Sequence, residues 1–372
     1  MDRQTKAAYA VLIMVTLSVA GMLAVTVANL GYQVPERTVG DLTVSGTVAG
    51  DGVDLDEYGG VATLTYTGGG DRIEWRLRDT GMPAYVKVDD SSYSLRGYDQ
   101  MISGRTLTLD DPGRYKIQLV SDGNIVRTGT VTLDGTVTRH FEWTQVISQT
   151  VSYDYSVDLS FPLSVYLGYV DADAVRHSDP TLEDSRFAAV DGSLRMIESA
   201  LRDEYDARHG PSALTQNYAD YLLSFVQCCI EYPDSISRDG PGTVTADPDG
   251  YGDLYLYGTE EYWAYPLETI YRGMGDCEDT SFLAAALYAA AGFDSAVASL
   301  PNHMVAAVHL DDFAPRSIPG CLLAVKSTTS THKNYYFCET TTSAFLAVGY
   351  VDVEVHAHIH MLDSISLVRA AP

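Results

Sequence analysis

A thiol becomes a nucleophile when a neighbouring group takes its proton, and three separated stretches of this chain supply the parts. The first is Arg272-Gly273-Met274-Gly275-Asp276-Cys277-Glu278-Asp279, where two glycines break the chain just before a cysteine. A nearly chargeless run, 280–293, follows it. Asp276 is a good N-cap residue and Asp279 stands where a capping box places its acidic partner, so a helix over 277–291 is predicted. Cys277 then sits in the first helical turn, where free N–H groups and the helix dipole favour thiolate over thiol. That helix is small or apolar all round, so it belongs in a core with its sulfur at the open end. The second stretch is His303-Met304-Val305-Ala306-Ala307-Val308-His309-Leu310, whose composition suits a strand. The third, Tyr335-Tyr336-Phe337-Cys338-Glu339-Thr340-Thr341, reads as another strand and brings a carboxylate. A cysteine at a helix start, a histidine on one strand and an acid on the next can perform nucleophilic acyl chemistry. Taken singly, each residue has a plainer reading: a buried cysteine as a small hydrophobe, a strand histidine as a satisfied core residue.

The set taken together resembles a family. Pro266-x-Glu268-Thr269, then Arg272-Gly273-x-Gly275-Asp276-Cys277-x-Asp279, an Asn302-His303 pair opening a strand, and Glu339 followed by threonines resemble the transglutaminase-like cysteine protease superfamily. The resemblance spans 212–342. It implies a papain/transglutaminase-like α+β domain and a triad falling on Cys277, His303 and Glu339. Two positions depart from the pattern. The acid, usually aspartate, is a glutamate with a longer arm, and Met304 stands where an aromatic residue is common.

On this reading Cys277 attacks a peptide, isopeptide or glutamine-type amide, His303 moves the proton, and Glu339 orients the imidazole. The Cys277 backbone N–H is a natural oxyanion donor. Trp263, Tyr265 and Asn302 are the candidate substrate contacts. Water as second acceptor gives a cysteine peptidase or amidase, the preferred outcome. An amine gives a protein-crosslinking transglutaminase. The rival from another class is a non-catalytic surface binding or adhesion module. No cofactor and no metal are expected, and the expected partner is a protein or peptide substrate at the cell surface.

The 372 residues suffice for two to three domains, and 46% apolar with 20% charged residues is a globular composition. A net charge of -26 argues against nucleic acid or anionic membrane surfaces as partners. Five cysteines are too few for a disulfide scaffold and show no C-x-x-C metal spacing. The odd number leaves a thiol unpaired within the monomer. A hairpin of 321–327 with 334–341 would set Cys321 across from Cys338, a pair open to bridging, although cross-strand geometry is often strained.

Residues 7–32 carry no charge and follow Arg3 and Lys6. About 20 apolar residues span a bilayer, and the basic residues place the N-terminus inside. The expected order is therefore a cytoplasmic 1–6, a transmembrane signal-anchor helix over 7–32 and an extracytoplasmic remainder. A cleaved signal peptide ending near Thr26-Val27-Ala28 is the alternative. Period-two runs at 61–66, 73–77, 115–120 and 125–133, divided by turn signals, predict an all-β sandwich of immunoglobulin or fibronectin type over 38–145. The catalytic domain is expected over 151–372. It opens with a strand at 151–161 and continues with helices over 182–209 and 212–232. The Gly-, Asp- and Tyr-rich 234–261 is too long for a simple connector and is read as the cleft rim or as a disordered insertion. The alternation of 351–361 predicts a strand, with His356, His358 and His360 on a polar face preferred to zinc ligation.

Overall fold

The computed structural model describes residues 37–368, apart from 40–41, 51, 59, 79–83, 96–98, 173, 180–181, 234–235, 238–239, 242–252, 254–255 and 329. The alternating N-terminal runs form two antiparallel sheets. One orders Arg37–Val39, Leu42–Gly46, Asn124–Leu133, Gly113–Ser121, Ile73–Arg78 and Asp99–Ser103. The other orders Val53–Tyr58, Val61–Tyr66, Thr106–Leu109, Ala84–Val88 and Ser91–Leu95. Inward residues of both, among them Trp75, Tyr115, Leu64 and Leu107, share one core, which is what period-two patterning produces when a single face of each sheet is buried.

A long hairpin, Thr136–Ser148 with Val151–Pro162, leads out of these sheets. Its buried Trp143 and Tyr155 pack on a helical layer, where the Trp143 indole N–H donates to Ser224 Oγ at 3.0 Å. Among the described residues six α-helices follow in order: α1 (Leu163–Val170), α2 (Gly192–His209), α3 (Gln216–Cys229), α4 (Pro266–Arg272), α5 (Cys277–Ala291) and α6 (Val353–Met361). The last sheet is antiparallel and orders Val325–Ser327, Asn334–Cys338, His303–His309, Ser295–Leu300 and Ser366–Leu367. Its strands bury both faces. Met304, Ala306 and Val308 join the core of α5, while Val305 and Ala307 meet Val355 and Ile359 of α6.

The fold expectation needs correction. The described residues form a mixed α/β chain with several antiparallel sheets, and none of their helices is long and apolar enough to cross a membrane. The longest, α2, has 18 residues but alternates charge with apolar side chains, and the apolar α5 has only 15. At 1.5 Å per residue the latter reaches roughly 22 Å, short of the ~30 Å hydrocarbon core. The expected span over 7–32 lies outside the described residues.

Four local expectations also change. The helix foreseen from 182 begins at Gly192, because Asp191 caps it by accepting the Leu194 N–H at 2.7 Å; a single 3-10 turn, Asp184–Phe187, precedes it. The helix foreseen over 212–232 runs Gln216–Cys229. The histidine-rich tail is helical. Asp352 caps α6 through the Val355 N–H at 2.8 Å, and Val355 with Ile359, one turn apart, take the buried face. Val353 is left 63% exposed, the cost of forcing a period-two pattern onto a helix. All five cysteines are free. The register sets Val325 opposite Tyr336 and Cys338 against Ala306, so Cys321 and Cys338 are not cross-strand neighbours.

Candidate active site

Cys277 reaches its position through a tight approach. Gly273 ends α4 with φ 68°, a left-handed conformation that costs a side-chain-bearing residue energy. A Cβ on Gly275 would lie 2.7 Å from Asp279 Cβ, so only glycine lets the loop press onto the first turn of α5. Asp276 takes the N-cap position, but its carboxylate caps nothing. Asp279 likewise turns away from the expected capping box and accepts the Ala264 N–H at 2.7 Å. The first N–H groups of α5 therefore carry no side-chain cap and face the open end of the helix.

One turn into α5, two hydroxyls tie the helix to both site strands. Ser281 Oγ donates to the Met304 carbonyl at 3.1 Å, and Thr280 Oγ1 meets Thr340 Oγ1 at 2.9 Å. From the other side, Gln227 of α3 donates to the Glu339 carbonyl at 2.6 Å. His303 opens its strand after a turn in which Asn302 adopts φ 56°. Glu339 directly follows the strand Asn334–Cys338, and its side chain meets that of His303: Nε2 lies 3.0 Å from Glu339 Oε2. Glu339 Oε1 accepts from the Thr341 N–H at 3.0 Å and the Thr341 hydroxyl at 2.7 Å. Burial by itself would raise the Glu339 pKa, but the His303 and Thr341 bonds outweigh it and hold the carboxyl below its usual range. With Nε2 engaged by the acid, Nδ1 is the ring nitrogen left for a thiol.

Cys277 and His303 line one cleft of about 330 Å³, with Trp263, Glu261, Asp276, Glu278, Ser178, Asn302 and Met304. The Met304 backbone draws the Cys277 thiol pKa down, the smallest of the influences on it. The thiol itself donates to Glu278 Oε2 at 3.0 Å, not to the imidazole. Burial, then the charges of Glu278 and Asp276, push the thiol well above its ordinary pKa. This reverses the expectation that the helix N-terminus favours thiolate: burial, with two flanking carboxylates, outweighs a partial dipole charge.

The other candidates divide. Trp263 lines the cleft, packed against Phe187 and Phe282, and its indole N–H donates to Glu261 Oε1 at 2.8 Å. Asn302 is also on the wall. Tyr265 is not; it packs behind, against Tyr169 and Phe187, under the Arg176 guanidinium. Sequence reasoning missed the acidity of the cleft. Burial, then Glu278, pushes Asp253 up to about 8 and raises Glu261; burial, then Asp279, drives Asp276 well up, and burial, then Asp253, drives Asp279 well up. The visible signal was the Asp-Cys-Glu-Asp run, which helix-capping logic absorbed too readily.

Comparison with protein-family models, with curated proteins and with solved structures finds no match to this chain.

Proposed function

We propose that the chain is a thiol acyl-transfer enzyme, a cysteine hydrolase acting on amide bonds of a protein or peptide substrate. The single observation that carries this reading is the contact of Glu339, at 3.0 Å, with His303, which lines the cleft that also holds Cys277. The resemblance of the surrounding motif to transglutaminase-like proteases supports it.

The raised thiol pKa selects a general-base route over a preformed ion pair. Cys277 leaves Glu278 and turns to His303 Nδ1. As sulfur attacks the carbonyl carbon, the imidazole takes the thiol proton and Glu339 stabilises the cation that forms. The tetrahedral oxygen accepts from the uncapped Cys277 N–H at the start of α5. Collapse breaks the C–N bond, and the imidazolium gives its proton to the leaving amine. Water then attacks the thioester, His303 takes a water proton, and the C–S bond breaks to return thiol and release a carboxylic acid. An amine in place of water would give crosslinking by the same intermediate.

The hydrogen bond from Cys277 to Glu278 favours one alternative, a binding cleft with an inert thiol. Hydrolysis of a mixed peptide pool by native protein and Cys277→Ala, with mass-spectrometric detection of products, separates the two. The enzyme reading requires cleavage that vanishes in the variant; cleavage surviving in Cys277→Ala defeats it.

A further inference from the structure

A second pocket, of about 140 Å³, lies between the tip of the long hairpin, the end of α2 and the start of α3. Sites for drug-sized ligands run to roughly 300–1,000 Å³, whereas a cavity of about 150 Å³ holds a single six-membered ring. The walls of this pocket are rings. His209 is set among Tyr153, Tyr155 and Tyr205, with centroids 4.7, 6.1 and 4.6 Å away. Tyr153 is exposed at the mouth, beside Ile147 and Val151. The floor is polar. Gln145 is 3% exposed and Asp220 1%, and both line the pocket. The Tyr155 hydroxyl donates to Gln145 Oε1 at 3.3 Å, which leaves the amide Nε2 buried with no partner. Asp220 Oδ1 accepts the Val348 N–H at 2.8 Å, while Oδ2 has the Arg316 guanidinium at 2.9 Å but no aligned hydrogen bond. A buried donor and a buried acceptor left open in one small pocket are costly unless something answers both.

We infer that this pocket binds one pyranose ring, a neutral saccharide unit. A hydroxyl accepts from an amide N–H and donates to a carboxylate, so neighbouring hydroxyls on one edge of a sugar serve Gln145 and Asp220 together. The C–H faces of the same ring are apolar with a slight positive charge, which suits the electron-rich faces of tyrosine. Asn217 adds an exposed amide that both donates and accepts. Charge selects against ions. Asp220 and Arg316 offset one another, and burial, then Arg208, holds His209 below its usual range, hence neutral near pH 7. A phenol would fill the space with a single hydroxyl for two floor groups, and ordered water would answer the floor but leave the ring walls bare. The pocket is separate from the cleft. Asp220 stands in the first turns of α3, and roughly 10 Å of helix divides it from Gln227, which donates to the Glu339 carbonyl. The site therefore holds whether or not Cys277 is a nucleophile.

The test is saturation-transfer-difference NMR on the full chain with common hexoses, N-acetylhexosamines and their methyl glycosides, the tightest then titrated by calorimetry. One sugar should bind saturably with Kd on the order of 1 mM, the reach of a ligand of about a dozen non-hydrogen atoms. Tyr153→Ala, which removes an exposed wall, and Gln145→Met, which keeps the shape but loses the donor, should each weaken binding at least about fivefold. Tyr58→Ala, almost fully exposed in the N-terminal sheets, should leave it unchanged. Tyr153 is at the surface, so its variant decides the matter even where Gln145→Met folds poorly. A methyl glycoside that binds as tightly as its reducing sugar marks the occupant as a unit within a glycan, and loss of binding on methylation marks a free sugar; either supports the site. The inference is overturned when no sugar binds saturably at about tenfold above the expected Kd, or when binding is equal in native protein and Tyr153→Ala. It is overturned equally by phenol binding more tightly than every sugar and indifferently to Gln145→Met.

Discussion

Replacing Glu339 by glutamine keeps the shape of the side chain and removes its charge. In the native protein the His303 Nε2 to Glu339 Oε2 bond measures 3.0 Å, and both partners are largely buried. A charge-assisted bond of this kind is worth about 1.5–3 kcal/mol more than its absence. Most of that is felt when the imidazole becomes cationic, that is, while it is taking the thiol proton. At about 1.4 kcal/mol per decade, the rate of proton removal from Cys277 should fall about 10- to 100-fold. The assay is the second-order rate of Cys277 alkylation by iodoacetamide near neutral pH, read by peptide mass spectrometry, with near-ultraviolet circular dichroism as the folding control. A linked effect has a fixed sign. The Glu339 pKa is held below its ordinary 4.5, so its contribution to stability is present above that pH and is lost as pH falls through the folded-state value. Native protein should therefore lose stability on acidification over a range where Glu339→Gln is flat. A folded Glu339→Gln that alkylates at the native rate would refute the orienting role.

Three further outcomes follow from particular contacts. Burial raises Asp220 to about 6, despite the Arg316 bridge at 2.9 Å and the Val348 N–H. Its stabilising contribution is full below the ordinary aspartate range and is lost as pH rises through about 6, some 3 kcal/mol in all; denaturant midpoints from acid to neutral pH should show this slope flattened in Asp220→Asn. Gly275→Ala drives a Cβ to 2.7 Å from Asp279 Cβ and should cost about 1–3 kcal/mol in chemical denaturation; an unchanged midpoint would contradict the tight approach. Thiol titration in denaturant without reductant should find all five cysteines free, and a count of three would restore a disulfide.

The elements that carry the site were legible where local signals agree. The chargeless run closed by Gly292 gave α5 its length, and the β-branched content after Asn302 gave the His303 strand. The pairing of His303 with Glu339 was anticipated, but the 3.0 Å contact depends on strand register, which no local pattern specifies. Competition between signals explains the misses. At 351–361 the apolar alternation suggested a strand, yet one N-cap and two residues a turn apart prevailed because α6 covers a sheet face. At Asp276 and Asp279 the residue types fit a cap, but tertiary partners claimed Asp279 and crowding by other carboxylates left Asp276 uncapped. The 234–261 stretch reads as a cleft rim, but the approach of Asp253 in particular to Asp276 and Glu278 is tertiary and no periodicity marks it.

The proposed chemistry requires a covalent acyl intermediate on Cys277 formed with help from His303. Mixing native protein, His303→Ala and Cys277→Ala with a p-nitrophenyl ester, and following intact mass over time, tests it most directly. One acyl group on Cys277 should form and turn over in native protein, form far more slowly in His303→Ala, and be missing in Cys277→Ala. Acylation of Cys277 at equal rates with and without the imidazole, or none at Cys277 in the native protein, would contradict it.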